Sequence, residues 1–503
     1  MDFNDYKNIL SKGAKDERFF VLGLDFGAGS SQLAYFDLMR SEPVIIDVSG
    51  GYGSSAAPTA LEYAGGGEWL FGEYADSGDR TFTNIKDALG TSSFAQIDGK
   101  PKTYAEIAAI YLKELIGCAH SINPKAQIAG IVAASPANAS EAWHKDLKKA
   151  LNLAGYGGAF IGAVDERECA LTHFLQDQAP AGPVMLADLG TESLRVGIYE
   201  ISDGGAAECL FYEESEELAL KRLYALADEA IAKLFAKGSG AKALDKRTSA
   251  QLAAFCRSHR ALLLNKGVAG DKKPTKLYFN FAYPAFAASV SNGEAMEIYA
   301  PYEKKLSVFL KKVAKTNAVS SCYLTGSGFE HSFTRSLVSE IFRDAKLTAF
   351  KTPKSAIAEG AAIISAVELG ASSARAYSIK DSNRLQMDYG VMIRQGSSDR
   401  FFPLAKKGSL WSDDFAEISF ILNERSSPAP TIAFYRRGSG GVTKIAESKL
   451  SGFPPRPAKT TRLCVGVRFD NPESLHFTIK DAGFGELYPS SGLSFGESAA
   501  ADC

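Results

Sequence analysis

Two stretches of the chain carry the same pattern. Residues 21–38 read VLGLDFGAGSSQLAYFDL and residues 184–201 read VMLADLGTESLRVGIYEI. Setting Asp25 on Asp188 brings Gly27 onto Gly190 and Ser30 onto Ser193, with apolar residues agreeing along both flanks. Each copy is a hydrophobic strand, an Asp-x-Gly-x-x-Ser turn, and an alternating strand that ends on an acidic residue. That pattern predicts a β-hairpin used twice. A duplicated hairpin predicts two related lobes facing each other.

Chemistry follows from the turns. Glycine lets backbone N–H groups approach phosphate oxygens closely, and a serine hydroxyl adds a donor. A carboxylate beside phosphate repels it, but can hold Mg²⁺ through water. Two opposed turns would clamp the phosphates of a nucleotide from both sides. The candidate set is Gly27, Ala28, Gly29 and Ser30 in one turn and Gly190, Thr191 and Ser193 in the other. Asp25 and Asp188 are the metal-holding pair, and a later glycine turn, Gly326–Ser327–Gly328, suits a nucleoside.

Between the copies, Gly130–Ser135 reads as a buried strand. A helix follows, with Ser140 as N-cap, Trp143, Leu147, Ala150, Leu151 and Ala154 as its apolar stripe, and Gly155 as its stop. Strand Phe160–Val164 then leads into another helix. This βαβ order predicts a sheet with helices on its faces. The region from Glu213 to about Arg260 is helix-rich, and a helix is predicted over Phe329–Phe342. Beyond Tyr389 the helical period gives way to short alternating segments (GVMIR, AEISFILNE, TIAFYRR, TRLCVGVRF, SLHFTIKD), which predict an antiparallel β-sandwich of about 115 residues. At 503 residues the chain exceeds the roughly 250–300 at which one core stops growing. The expected division is 1–372, a linker at 373–388, and 389–503. The fold class is α/β, a two-lobed nucleotide-binding domain followed by an antiparallel β-sandwich.

Net charge is −2, which gives no electrostatic footprint for nucleic acid or an anionic membrane. No run of about 18 apolar residues is present, so no membrane span is expected. The seven cysteines are scattered without metal or redox spacing, as reduced thiols in a cytoplasm would be.

These motifs resemble the actin, hexokinase and heat-shock ATPase superfamily, and within it the DnaK-type seventy-kilodalton chaperones, along nearly the whole chain. FGAGSS and DLGTES are similar to that family's phosphate loops. TFTNIKDALG resembles the segment with its catalytic lysine, here Lys86, and VDERECAL the segment with its active-site glutamate, here Glu166. The resemblance implies that Lys86, Glu166 and Asp188 act on the attacking water and the hydrated metal. RSHRALL resembles the adenine-contacting helix, which gives His259 and Arg260; LTGSGFE resembles the adenosine turn. FFPLAKKGSLWS and LSGFPPRPAKTTRLCVGVRFD resemble the β-sandwich peptide-binding domain.

The resemblance implies ATP/ADP and Mg²⁺ as cofactors, client polypeptide segments as partners with any co-chaperone unknown, no nucleic acid or membrane, and a cytoplasmic site. There are departures. Ala28 replaces a threonine hydroxyl, and GTES replaces a glycine triplet. Lys354 and Glu330 reverse charges near the adenosine turn, and His144 stands for an anchoring arginine. Residues 377–388 are mostly polar where the family has an apolar docking linker, and no helical lid follows PSSGLS. The leading expectation is a chaperone that holds peptide with slow ATP hydrolysis and weak coupling between its domains. A nucleotide-dependent scaffold without turnover comes second, and a small-molecule kinase third.

Overall fold

Both repeated stretches fold as antiparallel hairpins. In the computed structural model, β1 (Phe19–Asp25) pairs with β2 (Ser30–Asp37), with Asp25 opposite Gln32. Described are residues 19–500, apart from 50–52, 76–79, 138, 177–179, 203–204, 241–243, 266–272, 350–352, 381–384, 386, 396–397, 408, 410, 412–414, 416, 424–428, 439–440 and 472–473. These described residues fall into two compact units, one within Met1–Ala207 and Phe211–Ile379, the other within Glu208–Leu210 and Lys380–Cys503.

The first sheet of the larger unit adds β3 (Glu42–Ile45), β4 (Gln127–Ser135) and β5 (Phe160–Asp165), in the order β5-β4-β1-β2-β3. The second sheet contains β6 (Val184–Leu189), β7 (Leu194–Ile201), β8 (Ala206–Ser215), β9 (Ser321–Thr325), β10 (Lys346–Ala349) and β11 (Ser378–Lys380). Its order is β10-β9-β6-β7-β8-β11, so the first five strands repeat the order of the first sheet. Directions repeat as well: β1 runs parallel to β4 and antiparallel to β2, as β6 does to β9 and β7.

Helices cover these sheets because their apolar stripes need a partner. On the first sheet, α1 (Tyr104–Gly117) and α2 (Glu141–Leu153) bury Ile107, Tyr111, Leu112, Trp143, Leu147 and Leu151 against Leu22, Leu24 and Ile131. Ser140 caps α2 by accepting from the Trp143 N–H at 3.1 Å, as the sequence predicts. α3 (Glu166–Phe174) follows β5 but reaches the second sheet, where Phe174 stacks on Tyr323 at 4.8 Å.

The second sheet is covered by α4 (Leu220–Ser239), α6 (Asn292–Thr316) and α7 (Ser332–Ile341), which bury Leu223, Leu306, Leu310 and Val338. The predicted helix over 329–342 begins instead as a 3-10 turn at Ser327–Glu330, and α7 starts at Ser332. α5 (Lys246–Leu264) packs with the small hairpin 275–290 in a separate cluster around Phe235 and Phe279.

α8 (Ala356–Glu368) returns to the first sheet, where Ala358, Ala362 and Ala366 pack on Val21, Ala34 and Phe36. A Cβ on Gly23 of β1 would run into the backbone of Ala358 and Ala362. One on Gly360 would run into the backbone of Cys169 in α3. The chain thus crosses between the sheets twice, and the two crossing helices touch main chain to main chain.

Polarity over residues 377–388 predicts an undocked linker, yet its start is anchored. Tyr377 is buried; its N–H donates to Thr172 at 3.0 Å and its hydroxyl to the Leu175 carbonyl at 3.3 Å. The Ile379 N–H donates to Glu168 at 2.6 Å. Two main-chain donors and the buried Tyr377 side chain do this work.

The smaller unit is a sandwich of two four-stranded sheets. One contains β12 (Asp388–Gln395), β13 (Ser398–Ala405), β15 (Thr431–Gly438) and β16 (Gly441–Lys449), in the order β13-β12-β15-β16; the other contains β14 (Ile418–Ile421), β17 (Arg462–Asn471), β18 (Ser474–Asp481) and β19 (Ser494–Ala500), in chain order. Neighbouring strands are antiparallel throughout. The inner faces meet at Phe434 and Phe477, whose rings stack at 3.9 Å. Arg456 and Asp481 are buried there as an ion pair with nitrogen–oxygen distances of 3.0 and 2.8 Å. Among the described residues no helix is long and apolar enough to cross a membrane.

Candidate functional site

The two hairpin turns face one cleft. Its walls include Asp25, Gly27, Ala28, Gly29 and Ser30 from the first turn, and Asp188, Gly190, Thr191, Glu192, Ser193 and Arg195 from the second. Lys86, Glu166, Gly326, Ser327, Lys354 and Ile357 complete it.

Each turn is held from behind. Thr59 donates its N–H to the Gly29 carbonyl at 3.1 Å and its hydroxyl to the Gly27 carbonyl at 2.7 Å. The N–H groups of Leu220 and Lys221, where α4 begins, take the carbonyls of Gly190 and Thr191 at 2.9 and 3.2 Å. With the carbonyls occupied, the N–H groups of Ala28, Gly29, Thr191 and Glu192 find no protein acceptor among the described residues. Such a concavity of unpaired N–H groups attracts anions. Gly29 lies so close to the Thr191 side chain that the two turns nearly meet. Gly326 adopts φ +89°, and a side chain there would strike Asp188 and Leu189, so only glycine fits between β9 and the second turn.

The titratable groups form a chain of ion pairs. Lys86, carried on a turn whose carbonyl accepts from the Trp143 indole at 3.2 Å, places its ammonium 2.5 Å from Glu166 Oε1. Arg195 of β7 places Nη1 2.6 Å from Glu166 Oε2 and 3.7 Å from Asp188 Oδ2, while its Nε donates to Glu214 at 3.0 Å. Lys354, ahead of α8, lies 3.0 Å from Asp25 Oδ2. Lys221 pairs with Glu192.

These contacts set the protonation states. Burial pushes the Glu166 carboxyl up, but Lys86 and Arg195 outweigh it and bring it down to about 2. Burial, with the nearby Glu166 and Asp25 carboxylates, raises Asp188 to about 6, because Arg195 and Lys354 compensate only in part. Burial lowers the Lys354 ammonium's affinity for its proton, yet Asp25 more than restores it and the net shift is upward.

Of the residues expected from the sequence, Lys86, Glu166, Asp188, Asp25, both turns, Gly326 and Ser327 are brought together. Three do not line the cleft. Gly328 sits under Leu189. His259 stacks on Phe255 at 3.8 Å, and Arg260 lies over the Tyr224 ring at 3.7 Å and reaches Asp228 at 3.5 Å. The Ser193 hydroxyl donates to Glu214 at 2.6 Å and so is already engaged.

Sequence reasoning did not place Arg195 in the site, and it set Lys354 near the adenosine turn by resemblance rather than beside Asp25. Arg195 had a signal, since it breaks the duplication where the first hairpin carries Gln32. The cleft fits an anion: free N–H groups and three ammonium or guanidinium groups converge on it. A dication fits it poorly at Asp25 and Glu166, which already hold Lys354, Lys86 and Arg195 as close partners.

Comparison with known proteins adds two findings. Residues 384–499 match a family described as a domain of unknown function (DUF8552). The chain is 22% identical over 493 residues to chaperone protein DnaK of Thermosipho melanesiensis, which covers 93% of this chain and 79% of that protein. It is 23% identical over 498 residues to chaperone protein DnaK of Thermotoga neapolitana and of Thermotoga maritima, covering 94% of this chain and 80% of each. Along nearly its whole length, this chain is similar at low identity to DnaK proteins.

Proposed function

We propose that the protein is a DnaK-like nucleotide-binding protein with an actin-like, duplicated two-lobed domain. It would take ATP or ADP in the cleft and hold polypeptide segments of client proteins on the sandwich. The observation that carries the reading is the pair of opposed turns lining one cleft, in which the N–H groups of Ala28, Gly29, Thr191 and Glu192 have no protein acceptor among the described residues while the carbonyls of Gly27, Gly29, Gly190 and Thr191 are tied back. A polyphosphate is the ligand that such a double cradle suits, with Gly27–Ser30 on one side and Gly190–Ser193 on the other. The domain division at 1–372 and 389–503 and a cytoplasmic location belong to the same proposal.

Turnover would be slow. A general base works best with a pKa near the working pH. Glu166, at about 2 and with both oxygens paired, is a poor base; Asp188, at about 6, is better tuned, so activation of water would fall to Asp188. Lys86, bound to Glu166, would contribute positive charge beside the transferred phosphoryl group. The engagement of both Glu166 oxygens also favours the second reading, a nucleotide-dependent scaffold without turnover.

Thermal shift of the full chain tests the core claim. Ligand at about 100 times its dissociation constant stabilises a protein by roughly 2.7 kcal/mol. If millimolar ATP and ADP, with Mg²⁺, leave the melting temperature unchanged, the proposal is wrong. Steady-state phosphate release separates slow turnover from none. Anisotropy of a labelled hydrophobic peptide tests client binding.

A further inference from the structure

We infer that the cleft takes the polyphosphate of a nucleotide without a divalent metal, with the Lys354 ammonium supplying at Asp25 the positive charge that a metal would otherwise bring. This rests on the nucleotide-binding reading above.

A dication is recruited to a phosphate site by carboxylates whose charge is otherwise uncompensated. At Asp25 that charge is spent. The Asp25 side chain is 4% exposed, and its Oδ2 is 3.0 Å from Lys354 Nζ, itself on a side chain only 14% exposed. The same ammonium lies 3.4 Å from the point where a Cβ on Gly27 would stand, so it sits at the base of the first turn, beside the free N–H groups. Across the cleft, Arg195 spans Glu166 and Asp188, and Lys86 takes the other Glu166 oxygen. Of the lining carboxylates, Asp25, Glu166 and Glu192 thus each hold a close cation, Lys354, Lys86 and Lys221, while Asp188 shares Arg195, at 3.7 Å, with Glu166 and Glu214. The described residues contain no group of three or more His, Cys, Asp or Glu placed to hold a metal ion.

A dication approaching Asp25 would have to expel Lys354, leaving a largely buried ammonium without its partner. An anion meets the opposite situation, since it adds acceptors for the turn N–H groups and for cations already in place. An ammonium is a compact point charge, so it can stand beside both a carboxylate and a phosphate oxygen.

Calorimetric titration of ADP into the full chain, in excess Mg²⁺ and again in EDTA, tests this. The expected dissociation constants differ by less than fivefold. A fivefold or greater weakening in EDTA overturns the inference while leaving nucleotide binding intact. No binding in either buffer removes the nucleotide reading, and the inference with it. Lys354→Met provides a second arm: a folded variant should bind ADP at least tenfold more weakly in EDTA and recover part of the loss with Mg²⁺. An unchanged affinity in EDTA refutes the role given to Lys354.

Discussion

Arg195→Met should destabilise the larger unit by an amount that depends on pH. Arg195 is the cation shared by Glu166 and Asp188, and the Glu166 side chain is only 8% exposed. The drop of the Glu166 carboxyl from its ordinary 4.5 to about 2 corresponds to about 3.4 kcal/mol in favour of its charged form, at 1.36 kcal/mol per unit. Lys86 stays in the variant, so about half of that is at risk. Removing one partner of a buried pair costs about 3–5 kcal/mol in general. Asp188 adds the pH dependence. Its carboxyl is raised to about 6, so its charge destabilises the folded state, and the associated stability is lost as pH rises from 3.8 through about 6. Without Arg195 the folded value climbs further, and the loss continues to higher pH. The expected cost is about 2–4 kcal/mol at pH 8. It should be smaller by about 1 kcal/mol at pH 5, where Asp188 is protonated in both folded proteins. Urea unfolding by tryptophan fluorescence in a Trp411→Phe background reports the larger unit alone, through Trp69 and Trp143. A cost below 1 kcal/mol at pH 8, or one no smaller at pH 5, would refute the ion-pair account.

Four further outcomes are expected. Asp188→Asn should stabilise the larger unit at pH 8 by about 2–3 kcal/mol in the same urea assay, a gain that fades as pH falls from about 6 to 3.8, because it removes a buried charge raised from 3.8 to about 6. Gly360→Ala should cost about 3 kcal/mol in thermal or urea unfolding, since its Cβ meets the Cys169 backbone, which has no rotamer to give way. Arg456→Met should cost about 3–5 kcal/mol by leaving Asp481 buried and unpaired, while the double change Arg456→Met/Asp481→Asn should cost less than the single; hydrogen exchange over 462–481 reads both. Peptide affinity should differ by less than about tenfold between ATP and ADP, a coupling below roughly 1.4 kcal/mol, as anisotropy titrations in each nucleotide will show.

The elements whose information lies in adjacent residues were legible. The hairpins at 21–38 and 184–201 announce themselves by strand alternation around a glycine turn, and α2 by its Ser140 cap and apolar stripe. The sandwich was legible as a class, although β13, β16 and β19 lie in segments whose alternation is interrupted by Pro403, by Gly441 and by the Gly/Ser-rich end. What was not legible depends on contacts between distant residues. Lys354 and Asp25 are 329 positions apart, and no local period points one at the other. Arg195 reads locally as one polar position of an amphipathic strand, and only the second sheet's position turns it onto Glu166. The anchoring of Tyr377 and Ile379 escaped a reading based on the segment's overall polarity, because it uses two backbone N–H groups and the single buried ring of Tyr377. His259 and Arg260 were placed by resemblance, but neighbouring Phe255 and Tyr224 give them packing partners of their own.

The close seating of α8 has a mechanical consequence. Side chains normally act as a compliant layer between a helix and its support, and small slips are absorbed by rotamer changes. At Gly23 and Gly360 that layer is missing, and α8 meets β1 and α3 backbone to backbone. Lys354 stands just ahead of the first turn of this helix, and Ile357 within it lines the cleft. A ligand that bears on Lys354 or Ile357 therefore acts on a rod with no play at its bearings. The movement is carried along α8 into β1 and α3 as one stiff piece, rather than dissipating where the ligand sits.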